Sequence, residues 1–77
     1  MSDLPPDYYE ALSGAISRLK SNTRAARGAI YDRARKLLLE EAQSADPPWQ
    51  LMDIVREQRE LEAAIEEVEA FYARKSE

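Results

Sequence analysis

The chain contains neither cysteine nor histidine. Without thiols there is no disulfide, no thiolate nucleophile and no cysteine-ligated metal, and without imidazole there is no proton shuttle poised near neutral pH. Glycine is scarce, with two residues in 77, which argues against a turn-rich β fold. Large aliphatic and phenylalanine side chains are few as well. Leu, Ile, Val and Phe together number 15, while alanine alone supplies 12 residues, so the expected core is thin. No apolar run approaches the roughly 18 residues that span a bilayer. The opening Met1-Ser2-Asp3-Leu4-Pro5-Pro6-Asp7 has neither the basic flank nor the apolar stretch of a signal peptide. A cytoplasmic location is the expectation. Seventy-seven residues suit one domain, and a domain of this size leans on disulfides, a metal or a partner chain. Composition removes the first two and leaves the partner.

Charged residues make up 34% of the chain, and alanine, leucine, glutamate and arginine dominate, as in long helices and coiled coils. Two proline pairs, Pro5-Pro6 and Pro47-Pro48, each stand just before a long proline-free stretch. Proline is accepted in a helix's first turn and breaks its interior. Asp46 reads as an N-cap ahead of Pro47. The pattern predicts helix one over 7–43, a turn over 44–47 and helix two over 47–74, with frayed ends at 1–4 and 75–77. The expected fold is all-α, a single domain over 1–77 built as a long antiparallel hairpin of two helices, dimerising into a four-helix bundle.

In helix two, Leu51, Ile54, Gln58, Leu61, Ile65, Val68 and Tyr72 recur at steps of three and four, a heptad seam with one polar member. Helix one carries a related seam of Tyr9, Leu12, Ile16, Leu19, Thr23, Ala26 and Ile30, interrupted by Arg33 and resuming at Leu37. At ~1.5 Å per residue the helices would reach ~55 and ~40 Å, so Tyr8, Tyr9 and Leu12 would overhang the hairpin. Leu37, Leu38 and Leu39 sweep about 200° of helix surface, more than one neighbour covers. Ile30, Ala34 and Leu37 are expected to face helix two, and Tyr31 and Leu38 a second subunit. Trp49 is expected to pack at the turn, with partner anchoring as the alternative. The candidate interface is therefore Tyr8, Tyr9, Leu12, Tyr31, Leu38 and Trp49. Folding about residue 46 sets Gln58 opposite Arg33 or Ala34, a candidate polar layer that fixes register.

Charge is segregated. Residues 17–36 hold seven basic side chains against Asp32 alone, and residues 57–69 hold six glutamates against Arg59. A hairpin lays the blocks side by side, where they are expected to pair and set the antiparallel register. The rival reading is a nucleic-acid-binding regulator using Arg18, Arg24, Arg27 and Arg35. A further rival is a peripheral membrane module that lays helix one on anionic lipid.

Glu62, Glu66 and Glu69 share a helix face, but without a Glu-x-x-His pair they resemble a solvated, salt-bridging face more than a di-metal site. Ser13, Ser17, Ser21 and Thr23 lack a base and an oxyanion site. Gly14 and Gly28 inside the helical pattern suit either surface tolerance or close helix approach. No catalytic, cofactor or metal residue is assigned, and no enzyme is expected. The partners expected are a second copy or another protein.

Residues Asn22-Thr23, RAARGAIYDRARKLLL from Arg24 to Leu39, Pro47-Pro48 and REQRELEAAIEEVEA from Arg56 to Ala70 resemble an uncharacterised alphaproteobacterial segment. The resemblance spans about residues 8–70 and implies a bacterial helical hairpin with no established activity. The chain departs from that pattern at Trp49-Gln50-Leu51-Met52, where the family's second helix starts richer in leucine and serine.

Overall fold

The computed structural model describes residues 7–75, and among these it has three α-helices and no strand: α1 Tyr8–Ser17, α2 Arg24–Ser44 and α3 Leu51–Lys75. The first proline pair and residues 1–4 and 76–77 of the expected frayed ends lie outside the described residues, whereas Lys75, expected to be frayed, is the last residue of α3.

The all-helical expectation holds, but the single helix over 7–43 is two helices. Ser21, Asn22 and Thr23 are three short polar residues in succession, and such side chains compete with the helix for backbone groups. Thr23 is extended, and its hydroxyl accepts from the Ala26 N–H at 3.0 Å, capping α2. Arg18 ends α1, and Asp7 caps its start by accepting from the Glu10 N–H at 3.1 Å.

The second turn also departs from expectation. Asp46 is not an N-cap, and helix two begins at Leu51 rather than at the prolines. A residue before proline is pushed out of the helical region. Asp46 and Pro47 both stand before a proline, so the chain cannot enter a helix there. Instead Trp49 donates its N–H to the Ala42 carbonyl at 3.1 Å, closing the turn on the end of α2. Asp53 then accepts from the Gln50 N–H at 3.3 Å, one half of a capping box.

All three helices touch one another in a body of 45 × 23 × 18 Å. Bonds from Arg27 to Glu69 and from Arg35 to Glu62 run α2 antiparallel to α3, and the short 18–23 connection returns α1 antiparallel to α2. The topology is up, down, up. At ten residues α1 is about 15 Å long, so it covers only part of the 25-residue α3.

Leu12 and Ile16 from α1, Tyr31 and Leu38 from α2, and Leu61, Ala64, Ile65 and Val68 from α3 form the core. Ile16, Leu61 and Val68 are at most 2% exposed, and burial of such a side chain is worth about 1.5–3 kcal/mol. α1 thus occupies the position that a second hairpin was expected to fill. There is no overhang: Leu12 is buried and Tyr8 packs against the core.

The buried stripe of α2 is Arg27, Tyr31, Leu38 and Ala42, one residue out of phase with the expected Ile30 and Leu37; of the expected set Ile30, Ala34 and Leu37, the first two still pack partly buried against the core. Tyr31 and Leu38 therefore face their own chain, not a second subunit, while Leu37 is 51% exposed. A continuous helix would have carried the phase of α1 through to residue 43 at ~100° per residue. The non-helical segment 18–23 releases that constraint, and α2 turns to bury Tyr31.

Candidate functional site

The basic and acidic blocks meet across α2 and α3 in two unequal pairs. Arg27 is buried. Its Nε lies 2.6 Å from Glu69 Oε2 and its Nη2 3.3 Å from Oε1, while Nη1 donates to Asn22 Oδ1 at 2.6 Å. The guanidinium also stands over the Tyr72 ring, 5.2 Å from its centroid. The Tyr31 hydroxyl donates to Glu69 Oε2, so one carboxylate ties two turns of α2 to α3. Arg35 forks onto Glu62 at 2.6 and 2.9 Å and reaches Asp32 at 2.8 Å, but this cluster is exposed.

The hydrogen bond from Arg27 holds the Glu69 carboxyl below its usual range against the opposing pull of burial, and Arg35 does the same for Glu62. Burial, followed by the bond to Glu69, pushes the Tyr31 phenol up. The Tyr8 phenol is raised in the same way by burial and by donation to Glu57 Oε1 at 2.6 Å. These groups stay in one charge state across the neutral range, so the ladder holds register and moves no protons there.

The two pairs are centred on residue 48, not on residue 46. That offset dissolves the expected polar layer. Arg33 is exposed on the outer side of α2, and Gln58 lines an open cleft of about 430 Å³ with Arg35, Leu38, Leu39, Leu61 and Glu62.

Of the expected interface residues, Leu12, Tyr31 and Leu38 are closed off in the core. Tyr8 and Trp49 are half-buried against it, and Tyr9 is 39% exposed. The surface instead presents residues that the sequence reading placed elsewhere or passed over. Leu37 is 51% exposed beside an open cleft of about 590 Å³ that Tyr8, Ala34, Leu38 and Glu41 also line. Leu39 is 40% exposed, and Leu51 and Met52 are 73% and 74% exposed at the start of α3. All four lie toward the end of the bundle where α2 turns into α3. The triple leucine signalled the exposure of Leu37 and Leu39, since one helix face cannot bury all three.

Among the described residues no group of three His, Cys, Asp or Glu could hold a metal ion, and no helix is long and apolar enough to cross a membrane. Glu62 and Glu69 are each engaged by an arginine, which leaves only Glu66 of that glutamate face outside the ladder. A Cβ at Gly14 or Gly28 would meet nothing within 4 Å, so neither glycine marks a close helix approach. In comparisons with known proteins, no family model, curated protein or solved structure matches the chain.

Proposed function

We propose that this chain is a non-catalytic protein–protein interaction module that binds through the apolar surface around its α2–α3 turn. The observation that carries this reading is the exposure of Leu37, Leu39, Leu51 and Met52 toward one end of a molecule whose core is already closed, with Tyr9 and Phe71 the other exposed large apolar side chains among the described residues. Leu37 and Leu39 flank the buried Leu38 on opposite sides of α2, so apolar side chains are offered on two sides of the helix near this end of the bundle. The clefts beside Leu37 and Leu39 are open grooves, suited to a side chain from a partner rather than to an enclosed substrate.

The nucleic-acid reading loses two of its four arginines, because Arg27 and Arg35 are committed to Glu69 and Glu62. The membrane reading needed an aromatic overhang, and Tyr8 is bound to Glu57 instead.

A photo-crosslinking amino acid at Leu37 or Met52, and at the exposed outer residue Arg59 as control, tests the proposal in the native cell. Protein adducts from the first two positions and none from the third are expected. Equal labelling at all three, or none, would overturn it.

A further inference from the structure

We propose that the partner at Leu37 is a second copy of this chain, paired antiparallel along α2 with the twofold axis at Leu37. The inference rests on the reading of the chain as an interaction module and supplies the partner.

The buried stripe of α2 leaves a second stripe unused on its outer flank. Arg33, Leu37 and Glu41 stand at i, i+4 and i+8, within about 80° of helix surface, and all three are exposed. Among the described residues neither Arg33 nor Glu41 forms an ion pair. Arg33 and Glu41 are equidistant from Leu37 and opposite in charge. An isologous contact places residue i against j and j against i. With the axis at Leu37, Arg33 of each copy therefore meets Glu41 of the other, forming two ion pairs that flank the central leucines. The alternative parallel pairing would oppose Arg33 to Arg33 and Glu41 to Glu41.

The apolar contact is self-complementary too. Leu37 stands at the lip of the open cleft lined by Tyr8, Ala34 and Leu38. Across the twofold, each copy offers a leucine knob and a hole of mostly apolar atoms to receive it.

The test is a charge exchange read by light scattering over a concentration series, from about 1 to 500 μM, the range that brackets micromolar association. The wild-type chain is expected to move from 8.8 kDa toward twice that mass. R33E and E41R each set like charges across the axis and are expected to weaken association about tenfold. The double variant R33E/E41R restores both pairs and is expected to recover the wild-type mass profile. Both positions are exposed, and circular dichroism confirms that each variant folds. A monomer at every concentration, or a dimer indifferent to the exchange, overturns the twofold at Leu37. Crosslinks from Leu37 to an unrelated protein would do so as well, while leaving the interaction-module reading in place.

Discussion

Glu69 sits at the meeting point of Arg27 and Tyr31, accepting two bonds from a buried guanidinium and a third from the phenol one turn further along α2. The Arg35–Glu62 pair repeats the same two-pronged geometry in the open, with side chains 43% and 49% exposed. Comparing the two isolates the effect of burial on an ion pair. Glu69→Gln strands a buried charge and is expected to destabilise the fold by about 3 kcal/mol, the low end of the range for breaking such a pair, because Glu69 is itself 31% exposed. Glu62→Gln is expected to cost under about 1 kcal/mol, discounted for solvent screening. Urea denaturation of the two variants decides the matter, and equal losses would refute the distinction.

The pH dependence follows from the same contacts. Glu69 and Glu62 have carboxyls lowered by their arginines. Their contribution is complete above the unfolded value of about 4.3 and drains as pH falls through and below it. Tyr8 and Tyr31 are raised, so their contribution is complete below the ordinary tyrosine value near 10 and is lost as pH climbs past it. No histidine titrates between these limits. A stability plateau from about pH 6 to 9 with a fall on either side is expected from urea midpoints. Glu69→Gln should flatten the acid limb, and a variant whose acid limb is unchanged would remove Glu69 from its cause.

Leu37 and Leu38 are adjacent and have opposite fates. Leu38→Ala empties core volume and is expected to cost about 2–5 kcal/mol, whereas Leu37→Ala should change monomer stability by less than about 0.5 kcal/mol. Leu38→Asp is expected to unfold the chain outright. Thermal melts at low protein concentration keep the comparison free of association. A large loss at Leu37 would mean that the phase of α2 is wrong.

Thr23→Ala removes the hydroxyl that caps α2 and is expected to cost about 1 kcal/mol. Thr23→Ser keeps the oxygen and should restore most of the loss. The rescue, measured by denaturation, separates a capping role from a packing one.

Gly14 and Gly28 lie inside helices with open space where a Cβ would stand. Each Gly→Ala change is expected to stabilise by about 0.5–1 kcal/mol. A loss at either position would reveal a contact on that face, and at Gly28 it would point to a partner along α2.

The sequence by itself determined the helical class, the pairing of a basic block with an acidic one, and the apolar seam of Leu61, Ile65 and Val68. Local periodicity and segregated charge carry these, because neither depends on where the rest of the chain goes. Ser21-Asn22-Thr23 was also legible as a stop and a cap, but the apolar steps run through it and masked the break. What only the tertiary structure decided is the phase of α2. Either of its two adjacent stripes, Ile30 with Leu37 or Tyr31 with Leu38, could have met α3 by periodicity alone. The second wins where burying Arg27 and Tyr31 brings both to a single carboxylate on Glu69. That arrangement satisfies every buried polar side chain among the described residues, and it turns Leu37 outward to the surface on which the proposed function depends.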